Sequence, residues 1–350
     1  MRHLPGVALA PARGAPGGRG GEGVVHSLRA LAQLCVKIEW ALDGDGRRLA
    51  PLDILRTPDD RFADLPDYPF APHYLDIDIG DGLTARQHYV DEGPRDGPVI
   101  LLLHGEPSWS FLYRHMIGPL AEAGCRVLAP DLIGFGKSDK PADIDFYTYA
   151  RHADWLRQFL DALDVRDIGL FCQDWGGLLG LRLAGLDPDR FAFIVASNTF
   201  LPVGKGKPAD AFLAWREFAR TSPDFRIGPL LQRATVNQLT DAETAAYDAP
   251  FPDEAHKAAA RAFPALVPIS EDDPGAIDNV KAWQGLARFD RPFLTLFTDQ
   301  DPITKGGDSF FQKAVPGAKG QPHRIVEGGG HFCQEDVPEV FVDALLSLRR

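Results

Sequence analysis

Residues 168–177 read Ile168-Gly-Leu-Phe-Cys-Gln-Asp174-Trp-Gly-Gly177, and this segment organises the rest of the chain. Its apolar first half has strand character and the following residues 178–184 have helical character, so Asp174 is predicted to lie on a sharp strand-to-helix turn. Such a turn requires small neighbours, which Cys172 and the two glycines provide. A carboxylate at this position is ionised at neutral pH and attacks carbon directly, forming an ester. The alternative interpretation is an aspartate that only caps the following helix.

Apolar runs alternate with amphipathic segments on both sides of this turn. Residues 98–103 form a continuous apolar run, which is typical of a strand covered on both faces of a parallel sheet. Besides the run before Asp174, we predict strands at 74–79, 84–90, 98–103, 126–130, 191–197, 292–297 and 323–326, and helices at 149–163, 209–220, 241–247, 253–262 and 338–348. The alternation predicts an α/β fold with a doubly wound, mostly parallel sheet that binds ligands beyond the carboxyl ends of its strands.

The chain divides into three parts by composition. Residues 1–50 are rich in glycine and proline, and we expect them to be disordered or a non-native extension, with a targeting role as the alternative. Residues 51–198 and 283–350 carry the strand runs and form the predicted core domain. Residues 199–282 lack such runs and are dense in aromatic side chains, so they are predicted to form an inserted helical cap.

Overall composition restricts the partners and the compartment of the protein. The 350 residues are 45% hydrophobic and carry a net charge of -12, which argues against a nucleic-acid partner. The sequence contains no run of about 18 apolar residues, so no membrane partner is expected. The four cysteines are Cys35, Cys125, Cys172 and Cys333. They have no spacing typical of a zinc site or a disulfide framework, so we expect a cytoplasmic location.

Three polar residues follow predicted strands in the order nucleophile, acid, histidine. They are Asp174, Asp301 and the glycine-flanked His331, and their order is similar to that of the α/β-hydrolases. Asp301 is favoured over Asp299 as the acid because the family pattern places the acid just before a proline-containing turn. The backbone N–H groups of Trp175 and Glu106 are expected to form an oxyanion hole.

From Asp53 onward the sequence resembles the haloalkane dehalogenases, in the branch whose acid follows the seventh strand of the family's sheet. The matching segments are Arg56-Thr-Pro-Asp-Asp-Arg-Phe62, His104-Gly-Glu-Pro-Ser-Trp-Ser110, Gly134-Phe-Gly-Lys-Ser-Asp-Lys-Pro141, Gln173-Asp-Trp-Gly-Gly177, Phe212-Leu-Ala-Trp215 and Gly330-His-Phe-Cys-Gln-Glu335. The resemblance implies an α/β-hydrolase fold with an inserted helical cap and a hydrolytic activity toward halogenated alkanes.

The resemblance also implies roles for particular side chains. Trp175 and Trp215 would donate their indole N–H groups to the leaving halide, while Glu106 would help to order the catalytic water. Asp174 would form an alkyl ester that water, activated by His331 and Asp301, hydrolyses to a primary alcohol, a halide ion and a proton. No metal or organic cofactor is required, and a monomer is expected.

The aromatic composition of the predicted cap bears on substrate preference. We expect Phe212, Phe218 and Leu178 to line a close-packed tunnel that favours small linear haloalkanes.

Two other functions compete with this interpretation. An epoxide hydrolase would use the same ester chemistry but commonly calls on two cap tyrosines, and residues 199–282 contain only Tyr247. A non-catalytic ligand-binding relative would be expected to have lost a member of the catalytic set, whereas all three are present.

Overall fold

The computed structural model describes residues 52–349. The prediction for residues 1–50, and that for Cys35, therefore lie outside the described residues. The strands are β1 (Ile54–Leu55), β2 (His73–Gly80), β3 (Leu83–Glu92), β4 (Val99–Leu103), β5 (Arg126–Pro130), β6 (Lys140–Pro141), β7 (Ile168–Gln173), β8 (Phe191–Ser197), β9 (Phe293–Thr298) and β10 (Arg324–Val326).

Eight of these strands form one mixed sheet in the order β10-β9-β8-β7-β4-β5-β3-β2. The pairs β2–β3 and β3–β5 are antiparallel, and the other neighbours are parallel. All six residues of β7 are buried, because this strand lies between β4 and β8 and is covered on both faces. The predicted doubly wound α/β fold is confirmed.

The helices are α1 (Arg114–Glu122), α2 (Tyr149–Ala162), α3 (Asp174–Leu186), α4 (Asp210–Thr221), α5 (Ile227–Arg233), α6 (Asp241–Asp248), α7 (Ala258–Leu266), α8 (Ala276–Leu286), α9 (Gly307–Ala314), α10 (Cys333–Asp336) and α11 (Pro338–Leu348). Five of them, α4 to α8, lie between β8 and β9, where the sequence predicts an insertion. The predicted division at residue 282 falls inside α8, and the domain boundaries stay a prediction. Among residues 52–349, no helix combines the length and apolar character needed to cross a bilayer.

The sheet brings the ends of its central strands to one edge. β4, β7, β8 and β9 run parallel, so the loops after them meet beyond their carboxyl ends. Glu106, Asn198 and Asp301 lie in the loops after β4, β8 and β9, and Asp174 begins the helix that follows β7 directly. The fold thus gathers polar residues that are far apart in the sequence.

Candidate active site

Asp174 is the first residue of α3 and adopts a left-handed backbone conformation with φ of +51°. This conformation is unfavourable for a non-glycine residue and requires close support from its surroundings. A Cβ atom on Gly176 would lie 1.9 Å from the carbonyl oxygen of Leu103, and one on Gly177 would lie 1.9 Å from Oγ1 of Thr199. The two glycines are therefore needed for the turn to pack against β4 and the loop after β8.

The Asp174 carboxylate is held by the loop after β4. The backbone N–H of Glu106 donates to Oδ1 of Asp174 at 2.7 Å. A Cβ atom on Gly105 would lie 2.2 Å from the same oxygen, so glycine permits this close approach. The second predicted donor, the Trp175 backbone N–H, makes no hydrogen bond to this carboxylate within residues 52–349.

His331 lies between the carboxylates of Asp174 and Asp301. Its Nε2 is 3.4 Å from Oδ2 of Asp174, and its Nδ1 is 3.1 Å from Oδ2 of Asp301. Burial alone would lower the pKa of His331, but the two carboxylates raise it to about 10. The raised pKa favours the protonated imidazole in the free protein.

Asp301, rather than Asp299, faces the histidine. Its carboxylate accepts hydrogen bonds from the Ile303 backbone N–H at 2.9 Å and from the Thr304 hydroxyl. Burial alone would raise the pKa of Asp301, but His331 and these donors lower it to about 2. Asp299 instead accepts from the Gly328 backbone N–H at 2.9 Å. The geometry supports the choice of Asp301 as the acid.

The two tryptophans approach the carboxylate from different elements. The Trp175 ring lies between Phe263 and Tyr149, with ring centroids 4.5 and 5.0 Å away. Its indole N–H has no hydrogen-bond partner in the described part of the chain. The Trp215 indole N–H, from α4, donates to Oε2 of Glu106 at 3.1 Å. One indole donor is thus available for a ligand, and the other is engaged by Glu106.

Glu106 is a buried carboxyl group beside a second carboxylate. Burial, together with the charge of Asp174, raises the pKa of Glu106 well above its usual range. Its Oε1 has no hydrogen-bond partner among residues 52–349. The raised pKa favours the neutral acid, which can donate a hydrogen bond to a ligand in the cavity and does not repel an anion.

A cavity of about 1050 Å³ opens beside these groups. Phe212, Trp215 and Phe218 recur every three residues on α4 and all line it, together with Leu178 from α3. Its volume slightly exceeds the range of about 300–1,000 Å³ that is typical of ligand sites. Phe212, Phe218 and Leu178 line the cavity as expected, and the close-packed tunnel stays a prediction.

Asn198, which follows β8, was not identified from the sequence. Its backbone carbonyl accepts the Asp174 N–H at 3.0 Å, and its side-chain Nδ2 donates to the carbonyls of Gly330 at 2.9 Å and His331 at 3.1 Å. It therefore joins the Asp174 turn to the His331 loop. Gln173 adds a bond of 3.0 Å from its amide to the His331 carbonyl. A polar residue directly after a buried strand is the only sequence signal for Asn198.

Comparisons with known proteins agree with this arrangement. Residues 98–338 match the family model of the α/β-hydrolase fold. The chain is 54% identical over 288 residues to a haloalkane dehalogenase of Psychrobacter cryohalolentis, covering 82% of this chain and 95% of that protein. A haloalkane dehalogenase of Mycolicibacterium paratuberculosis is 51% identical over 296 residues, covering 85% of this chain and 98% of the relative.

The chain belongs to the haloalkane dehalogenases. The structure of a tetrameric haloalkane dehalogenase from Paraglaciecola agarilytica superimposes with a TM-score of 0.76 at 34% identity, covering 85% of this chain and 98% of the other. The resemblance expected from the sequence motifs is confirmed.

Tyr247 bears on the competing interpretation as an epoxide hydrolase. In this haloalkane dehalogenase its side chain is fully buried, and its hydroxyl is bonded to the carboxylate of Glu335. The same carboxylate is paired with Arg114. Tyr247 is therefore part of a buried ionic network and does not face the cavity, where it would have to activate an epoxide oxygen.

Proposed function

We propose that the chain hydrolyses haloalkanes to a primary alcohol, a halide ion and a proton through an ester on Asp174. The observation that carries the proposal is the position of the Asp174 carboxylate. One of its oxygens is bonded to the Glu106 N–H, and the other faces His331 beside an apolar cavity. These two oxygens can therefore perform different tasks.

In the first step Oδ2 of Asp174 attacks the halogenated carbon and displaces the halide in line. The new bond is Oδ2–carbon, and the electron pair of the carbon–halogen bond leaves with the halide. We place Trp175 and Trp215 around the departing anion. Their indole N–H groups stabilise this anion without protonating it. Because Trp215 donates to Glu106 in the free protein, it must exchange that partner for the halide.

In the second step His331 takes a proton from water, and the hydroxide attacks Cγ of the ester. Esterification removes the negative charge of Asp174, so the pKa of His331 falls below that of the free protein, the ring releases its proton to solvent and the neutral imidazole becomes available. Charge collects on Oδ1, where the Glu106 N–H donates. The alcohol leaves with Oδ2 and the proton from His331. Asp174 retains the oxygen of water and passes the remaining proton of that water to His331, which restores the carboxylate.

The first test is the substitution His331→Gln. This variant should still form the Asp174 ester from 1-bromobutane but should not hydrolyse it, because the base for water is absent. Intact-protein and peptide mass spectrometry would locate the added butyl group. Absence of any adduct on Asp174 in the variant, with an active wild-type enzyme as control, would contradict the two-step scheme.

We further propose a cytoplasmic monomer. Cys125, Cys172 and Cys333 are buried and free, which is in keeping with a reducing compartment. The tetramer described for the Paraglaciecola agarilytica relative is the competing assembly. Light scattering on the purified protein distinguishes one chain per particle from four.

A further inference from the structure

The peptide unit between Gly105 and Glu106 has hydrogen bonds at both of its ends. Its N–H donates to Oδ1 of Asp174 at 2.7 Å. Its carbonyl oxygen, that of Gly105, accepts three donors: the His104 side-chain Nδ1 at 3.0 Å, the Ser108 hydroxyl at 2.8 Å and the Ser108 backbone N–H at 3.0 Å. This one peptide therefore connects the candidate nucleophile to a buried cluster of donors.

The partners of His104 assign its tautomer. Its Nε2 accepts the backbone N–H of Leu132 at 2.9 Å, so this nitrogen carries no proton. The proton of the neutral ring therefore lies on Nδ1, the atom that donates to Gly105. The ring is fully buried, and burial lowers the pKa of His104, which keeps it neutral.

Hydrogen bonds at a peptide carbonyl draw electron density away from the N–H of the same peptide. The N–H becomes a stronger donor, because hydrogen bonds in a chain polarise one another. Three donors also fix the plane of the peptide, and with it the direction of the Glu106 N–H.

We infer that His104 and Ser108 are positioning residues that strengthen the oxyanion donor of Glu106 for the second step of the reaction. The inference rests on the proposed two-step function. In the first step Oδ1 loses negative charge as the carboxylate becomes an ester carbonyl. In the second step Oδ1 gains a full negative charge as water adds to Cγ. A stronger N–H donor at Oδ1 therefore accelerates ester hydrolysis and does not accelerate ester formation.

Ser108→Ala tests this selectivity, and Ser110→Ala is its matched control. Both serines are fully buried in the same loop, but the Ser110 hydroxyl is bonded to the Tyr68 hydroxyl at 2.6 Å and makes no contact with the Gly105 carbonyl. Rapid-quench mass spectrometry with 1-bromobutane would give the rates of ester formation and ester decay separately. Thermal melting would verify that each variant is folded.

One oxyanion donor accelerates a reaction about 10²–10³-fold, and one polarising hydrogen bond supplies roughly a tenth to a third of that free energy. We therefore expect Ser108→Ala to slow ester decay about two- to eightfold. Ester formation should stay within about twofold of wild type, and Ser110→Ala should leave both steps within the same range. Ser108→Thr keeps the hydroxyl and should restore the ratio of the two rates. If Ser108→Ala slowed both steps equally, or neither, the inference would be overturned.

An infrared measurement on the trapped ester is independent of turnover. In the His331→Gln background, the ester carbonyl of isotopically labelled Asp174 should absorb at higher wavenumber when Ser108 is also changed to Ala or Cys, because its hydrogen bond is weaker. An unchanged band in both double variants would contradict the inference. If the ester forms and decays in Ser108→Ala with the same ratio of the two rates as in wild type, only this inference is contradicted. If no ester is found in wild type or in His331→Gln, the proposed function is contradicted and the inference with it.

Discussion

His331 meets different requirements before and after ester formation. In the free protein the carboxylates of Asp174 and Asp301 lie within 3.4 and 3.1 Å of its ring nitrogens, and a protonated ring offsets part of their negative charge. In the ester only Asp301 remains charged. The same side chain is therefore an electrostatic partner of the nucleophile in the first step and a base in the second.

This change predicts a pH dependence that differs between the free protein and the ester. Ester decay needs the neutral ring, so its rate should rise with pH, with a midpoint below the pKa of about 10 for His331 in the free protein. Rapid-quench rates across the pH range give the midpoint for ester decay, and an NMR titration of the His331 ring gives its midpoint in the free protein. Coinciding midpoints would show that Asp174 does not influence the ring.

The two indole donors give a second prediction. Trp175→Phe removes an N–H that has no other partner in the described chain, and ester formation should fall about 10²–10³-fold if oxyanion-hole magnitudes apply to halide. Trp155→Phe is the control, because Trp155 is buried against Phe146 and His152, away from the cavity. Ester formation by Trp175→Phe at the rate of the control would exclude Trp175 from halide stabilisation.

Among the helices, the contact of α3 with α8 holds part of the inserted segment on the sheet domain. A Cβ atom on Gly285 would lie 1.7 Å from the backbone oxygen of Gly185, and one on Gly185 would lie 2.1 Å from that of Ala282. The two backbones therefore approach closely, and neither glycine has space for a side chain.

Gly285→Ala should thus destabilise the protein by about 1–3 kcal/mol, since backbone atoms rather than a flexible side chain must move. Gln284→Ala is the control, because Gln284 is exposed and lies beside Gly285 on the same helix. That control should change the free energy of unfolding by no more than about 0.5 kcal/mol. Thermal melting compares the two, and a Gly285→Ala protein that melts no lower than wild type would refute the close contact.

The strands were easier to predict than the helices of the insertion. The continuous apolar runs of β4, β7 and β8 indicate strands buried on both faces, and their bounds agree with the predictions within one or two residues. The predicted helix at 253–262 begins only at Ala258, after a short 3₁₀ turn. α5 was missed because its seven residues contain glycine and proline, and α8 was missed because it crosses the expected boundary.

The residues of the candidate site also divide into those that the sequence predicts and those that it does not. Asp174, Asp301 and His331 follow strands in a recognisable order, so their approach was predictable from topology. The bonds of Asn198 and the donors on Gly105 arise only where separate loops meet, and spacing along the chain carries no information about them.

At the level of the entire protein, the cavity between α4 and the sheet edge limits which substrates fit. Its volume of about 1050 Å³ leaves room for chains longer than small linear haloalkanes. We therefore predict that kcat/KM for 1-bromohexane is at least equal to that for bromoethane, because the longer chain buries more apolar surface. A halide-release assay over bromoalkanes of two to eight carbons measures this, and a steep decline beyond three carbons would indicate that the cap closes the cavity.

The source of the oxygen in the product tests the ester most directly. A single turnover with enzyme in excess, run in water enriched in ¹⁸O, should leave the label in the carboxylate of Asp174 and give an unlabelled alcohol. Peptide mass spectrometry of residues around 174 and mass spectrometry of the alcohol read both positions. Label in the alcohol of that first turnover, with none on Asp174, would mean that water attacks the haloalkane directly and would contradict the account.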